Sequence, residues 1–159
     1  MKNIKRVLCL VLTLLMVAST VSVFAAFSDV PTTASYEKAV SALSQLGIIK
    51  GYDDGTFKPD NDVTRAEFTA MLMRTMGAGS IGSSSSADLP FSDVSDQNSD
   101  ISWSIPNINT AYKNGIVNGY EDGTFRPNDK VAYEEAVKMV VCALGYGENI
   151  SVDATPWYS

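Results

Sequence analysis

The sequence predicts an all-α fold assembled from tandem helix–loop–helix units, and three observations carry that prediction. Residues 51–68 read GYDDGTFKPDNDVTRAEF and return 68 residues later, at 119–136, as GYEDGTFRPNDKVAYEEA. A shared block of that length marks one structural unit used twice. Apolar residues beside each copy recur at the three- and four-residue spacing of a helical face. Within each copy, Asp53-Asp54-Gly55 and Glu121-Asp122-Gly123 are turns, where a carboxylate accepts from nearby backbone amides and glycine tolerates positive φ.

Residues 1–25 have the layout of a secretory signal peptide. Lys2, Lys5 and Arg6 precede an apolar run over 7–23, and Val23-Phe24-Ala25 offers a cleavage site. No stable membrane insertion is expected once this segment is removed. Three of the 12 basic residues and none of the 18 acidic ones lie in it, so the mature chain carries 9 against 18, a net charge of −9, with no histidine. Such a surface argues against a nucleic-acid partner. Cys142 is then the only thiol, which excludes an internal disulfide and a zinc site, and its apolar surroundings predict a buried small residue. No cofactor is expected.

The first unit spans 27–77. Phe27-Ser28-Asp29-Val30-Pro31 leads into a helix whose face is Tyr36, Ala39, Val40, Leu43 and Leu46, ended by Gly47 as a left-handed cap. After the turn, with Tyr52 and Phe57 flanking it, Thr64-Arg65-Ala66-Glu67 is a capping box, and Phe68, Met71, Leu72, Thr75 and Met76 line the second helix. The acidic residues Asp53, Asp54, Asp60 and Asp62 do not fit a calcium loop, since the required glycine position falls on Arg65. Arg65 opposes the helix dipole in the first turn. Either it forms an anion site with the helix amides, or it makes a surface ion pair with Asp60 or Asp62.

Residues 78–90 are a Gly/Ser-rich linker. The second unit, 91–146, restarts at Phe91-Ser92-Asp93-Val94, and its first half is four residues longer. Ile105, Ile108, Ala111 and Tyr112 give the inward face of its first helix, with Pro106 in the first turn and Gly115 aligned with Gly47. At the second helix Thr64 has become Ala132 and Arg65 has become Tyr133, so the helix persists without the cap hydroxyl or the guanidinium. Lys130 and Arg126 are the cations that could substitute. Trp103 falls where the first unit has Ser35. Residues 147–159 read as the start of a possible third unit.

FSDV, a helix ending in GII or GIV, GYxDGTFxP and VTRAEF before an apolar helix resemble the S-layer homology domain family over about residues 27–77 and 91–146. The resemblance implies repeats that come in threes and pack as a pseudo-threefold helical bundle. It implies non-covalent binding of anionic, often pyruvylated, secondary cell-wall polysaccharide, so a secreted protein held at the cell wall or S-layer. It implies ligand contacts at Arg65, at Asp29 and Asp93, and at Gly51, Tyr52, Gly119 and Tyr120, with Thr64 and Glu67 from the capping box beside the arginine.

Three functions follow for weighing. The first is glycan anchoring, with Arg65→Ala weakening polymer binding at little cost in melting temperature and Tyr133→Arg adding affinity. The second is a structural S-layer or self-assembly module that associates with other S-layer homology repeats without direct glycan binding, Arg65 sitting in an interchain ion pair. The third is the anchor fragment of a longer surface enzyme. Within these 159 residues no enzyme is expected, because there is no histidine and the carboxylates fall in turns and caps.

Overall fold

The computed structural model describes residues 27–79 and 85–147; the expected signal peptide and the expected start of a third unit lie outside them. Among the described residues five α-helices follow in order: α1 (Glu37–Gln45), α2 (Arg65–Thr75), α3 (Ser99–Ser102), α4 (Ile105–Lys113) and α5 (Tyr133–Val141). A π-helical turn, Cys142–Tyr146, continues α5. There is no strand among these residues, only an isolated antiparallel bridge between Thr64 and Lys130. The all-α prediction holds.

Local chemistry sets the helix ends. At the end of α1, Gly47 adopts φ 71° while its amide donates to Ser44 O and that of Ile48 to Leu43 O, a Schellman motif. Gly115 repeats it after α4, with φ 66° and Ile116 donating to Ala111 O. The capping box at α2 is complete: Thr64 Oγ1 accepts from the Glu67 amide at 3.2 Å, and Glu67 Oε2 accepts from the Thr64 amide at 2.8 Å. Only half survives at α5, where Glu135 Oε2 accepts from the Ala132 amide at 3.0 Å. The four extra residues of the second unit are housed in α3, capped by Asn98 Oδ1, which sends Ile101 into the core. Trp103 stays half-exposed and donates its Nε1 to Asp100 O.

The core belongs mostly to the second unit. Phe91, Val94, Ile101, Ile105, Ile108, Ala111, Ile116, Val117, Phe125 and Met139 form it, and Met73 of α2 closes it from the first unit. α2 lies chiefly on α4, and less on α5. Its buried stripe is Arg65, Ala66, Thr69, Ala70 and Met73, one position off the expected face. Small side chains let α2 approach α4 closely; Phe68 and Leu72 flank the contact, and Met76 is exposed. The expected face of α1 is also largely open: Val40 is buried, whereas Tyr36, Leu43 and Leu46 are exposed. α4 is covered by α2, but among the described residues no helix covers α1 in the same way. Cys142 is half-buried rather than buried.

Candidate functional site

Each unit builds the same turn from the same parts. Asp29 accepts the amides of Phe57 and Lys58 at 2.8 and 2.7 Å, and Asp93 accepts those of Phe125 and Arg126, both at 2.7 Å. Each aspartate therefore staples its lead-in to its turn. Asp54 Oδ1 accepts from the amide and hydroxyl of Thr56, and Asp122 does the same for Thr124. Lys58 and Arg126 hold left-handed φ of 56° and 58°, pair with Asp54 and Asp122, and lie 4.2 and 4.0 Å from the ring centroids of Tyr52 and Tyr120. The tyrosine hydroxyls donate to Glu67, at 2.9 Å, and to Glu135.

Gly51 and Gly119 sit against the lead-in phenylalanines. A Cβ on Gly119 would stand 2.6 Å from Phe91 Cε1 and 2.6 Å from Thr124 O; one on Gly51 would stand 2.2 Å from Phe27 Cε1. These glycines are required by close approach, and Gly51 also by its φ of 70°.

Arg65 crosses between the units. Its Nε donates to Phe125 O at 2.9 Å and its Nη2 to Asn118 O at 3.3 Å, while Nη1 pairs with Glu135 Oε2 at 3.1 Å. The guanidinium carbon lies 4.8 Å from the centroids of both Tyr120 and Phe125. The residue is 4% exposed. Neither Asp60 nor Asp62 is its partner; Asp62 takes Lys130 at 2.7 Å. The first amides of α2 are occupied as well, Arg65 N by Asp129 O and Ala66 N by Pro127 O. The sequence-predicted residues thus fall into two clusters. Asp29, Gly51, Tyr52, Thr64 and Glu67 surround the first turn; Asp93, Gly119 and Tyr120 surround the second and are joined there by Arg65. Glu135, and the carbonyls of Asn118 and Phe125, were missed. The signal for Glu135 was its persistence in a capping box whose hydroxyl had gone. Tyr133, at the position of Arg65, is 82% exposed.

Several carboxyls are held below their ordinary range. The Thr124 hydroxyl, then Arg126, bring Asp122 to about 2. The Thr56 hydroxyl and amide lower Asp54, and the Phe57 amide lowers Asp29 against some burial. Burial raises Glu135, but Tyr120, the Ala132 amide and Arg65 outweigh it. A depressed folded pKa contributes stability above the ordinary value that is lost as pH falls through the folded one. With no histidine in the chain, the thermal midpoint is expected to stay level from neutral pH to about 5 and then fall steadily toward pH ~2. Circular dichroism melts across that range check this; a midpoint that held at pH ~2 would mean these carboxylate contacts are not formed in solution.

Comparison with known proteins fits this architecture. The family model described as the S-layer homology domain matches residues 26–69 and 90–137. A cell surface protein of Thermoanaerobacter kivui is 35% identical over 151 residues, 92% of this chain and 19% of that protein. An endoglucanase of Bacillus sp. (strain KSM-635) is 37% identical over 123 residues, covering 77% and 12%. A cellulosome-anchoring protein of Acetivibrio thermocellus is 31% identical over 87 residues, covering 55% and 19%. The chain therefore spans a fifth or less of the length of each of these relatives.

Proposed function

Because the chain belongs to the S-layer homology domain family, we propose that it is a non-catalytic module that holds a secreted protein at the bacterial cell wall by binding anionic polysaccharide. One observation carries the reading: the same short segment recurs in a surface protein, an endoglucanase and a cellulosome-anchoring protein, as a small share of each. Proteins with such different tasks share attachment, not chemistry. The wall or S-layer location follows, with residues 1–25 as the export signal.

The ligand proposed is a pyruvylated secondary cell-wall polysaccharide. The mature chain's net charge repels a polyanion, so recognition rests on local cations over the two turns. Arg65 is the proposed carboxylate contact, with Asp29, Gly51, Tyr52, Thr64, Glu67, Asp93, Gly119 and Tyr120 shaping the surface around it. A ligand carboxylate has to displace Glu135, whose side chain is 22% exposed, to reach the guanidinium. Glu135→Gln is therefore expected to raise affinity for purified pyruvylated polymer several-fold in isothermal titration. Unchanged or weaker binding would remove Arg65 from the ligand site; no binding by the native chain would remove the function.

A second reading, assembly without glycan, draws on the exposed apolar residues of α1 and α5. Sedimentation of the glycan-free protein separates it from the first.

A further inference from the structure

Each turn holds one long side chain on a backbone that a Cβ opposes. Lys58 and Arg126 adopt φ of 56° and 58°, in the left-handed region, and each precedes a proline, which narrows the choice further. The aspartate of each lead-in enforces the conformation, since Asp29 accepts the amide of Lys58 and Asp93 that of Arg126. Where φ alone matters the same turns use glycine: Gly55 and Gly123 both sit at 78°. At 58 and 126 both copies carry a cation instead, although glycine would relieve the strain. Backbone strain kept in this way points to a task for the side chain that bears it.

Two guanidinium groups share the Tyr120 ring, Arg126 at 4.0 Å from its centroid and Arg65 at 4.8 Å. They differ in access. The Arg65 side chain is 5% exposed and has every nitrogen engaged, whereas that of Arg126 is 43% exposed. Asp122 takes the Nη2 of Arg126 at 2.8 Å and Thr124 Oγ1 takes its Nε at 3.3 Å, which fixes the plane of the fork. Its Nη1 has no partner among the described residues. Lys58 repeats the arrangement over Tyr52, with Asp54 at 3.3 Å and a side chain 37% exposed. Granted the polysaccharide reading, we propose that Arg126 and Lys58 are direct contacts for the carboxylates of the wall polymer, reached without displacing Glu135.

In this arrangement Asp122 and Asp54 are positioning residues: each holds its cation over the ring and leaves part of it open. The fork of Arg126 matches a carboxylate better than the point charge of Lys58, so the second turn is the stronger of the two. A purely structural role is the competing account, with each cation bracing its own turn. An exposed ion pair and an exposed cation over a ring contribute little to stability, and glycine at a left-handed φ gives some of that back. The fold should therefore tolerate loss of the cation, while the binding should not.

The test is isothermal titration of the full mature chain with purified pyruvylated wall polymer. Arg126→Gln should weaken binding about tenfold and Lys58→Gln by a smaller factor, both losses shrinking as salt is added. Arg126→Gly should weaken it as much as Arg126→Gln, yet keep the thermal midpoint within about 3 °C of the parent. Lys58→Arg, which gives the first turn the fork of the second, should strengthen it. On polymer stripped of its pyruvyl ketals by mild acid, parent and Arg126→Gln should bind alike. Parent-like affinity of Arg126→Gln for the intact polymer overturns the proposal, as does a loss of equal size on the stripped polymer, which would place the residue against the sugar and not its carboxylate. A midpoint that falls well below the parent in Arg126→Gly overturns it too, by making the cation a brace for the turn. A parent chain that binds no polymer removes the anchoring function together with this role; a parent that binds, matched by its variants, removes only the role of these two cations.

Discussion

Arg65→Ala is expected to lower the thermal midpoint by roughly 10 °C, the equivalent of about 3 kcal/mol in a chain of this size. The sequence alone suggested the opposite, a ligand-facing cation whose removal leaves stability intact. Burial reverses the expectation. The side chain is 5% exposed and makes two hydrogen bonds and an ion pair that join the two units. Its loss strands Glu135 beside the ring of Tyr120 and leaves two carbonyls unpaired. Removing one member of a buried pair costs about 3–5 kcal/mol, and the partial exposure of Glu135 places this case at the low end. Arg65→Lys keeps the charge but loses the planar fork, so it should recover only part of the difference. A double-mutant cycle with Glu135→Gln measures the pair itself. A midpoint within about 2 °C of the parent in Arg65→Ala would show that the guanidinium does not join the units in solution.

Gly119→Ala should destabilise the second unit by about 3 kcal/mol. The added methyl meets a ring carbon of Phe91 and the carbonyl of Thr124, each at 2.6 Å. Phe91 is 6% exposed and wedged against Tyr112 and Phe125, with centroids at 5.2 and 5.3 Å, so it has nowhere to swing. The carbonyl is fixed by the turn, since it accepts from the Tyr120 amide at 2.8 Å. Gly51→Ala makes the comparison. Its ring neighbour, Phe27, is half-buried and can move aside, but the Thr56 carbonyl, 2.7 Å from the added methyl, is fixed by the Tyr52 amide, and φ is left-handed at 70°. Its cost should therefore be of similar size, about 1 kcal/mol of it backbone strain. Urea unfolding of both variants gives the comparison; equal, negligible effects would mean the lead-in phenylalanines do not pack under these glycines.

Features that depend on near neighbours in the chain were legible. The capping box at Thr64, the left-handed glycines at 47 and 115 and the Asp-Gly turns all follow from side chains a few residues apart. The inward face of α4 was read correctly for the same reason, because its apolar spacing is local. What was not legible depended on the other unit. The stripe of α2 is offset because it serves close contact with α4, where Ala66, Thr69 and Ala70 suit better than the larger Met71 and Leu72. Periodicity places Leu43 and Leu46 on a covered face, and cannot tell that the helix to cover them is missing from the described residues. Arg65 was weighed against acids of its own unit, yet its partners lie 53 to 70 residues away.

In the primary text the duplication breaks at residues 78–90, but the interior does not part there, since Met73 belongs to one copy and its surroundings to the other. The repeating word and the folding body are out of phase by one helix. Cutting the chain at its most obvious seam would pull a stopper from its vessel, leaving neither half a miniature of the whole.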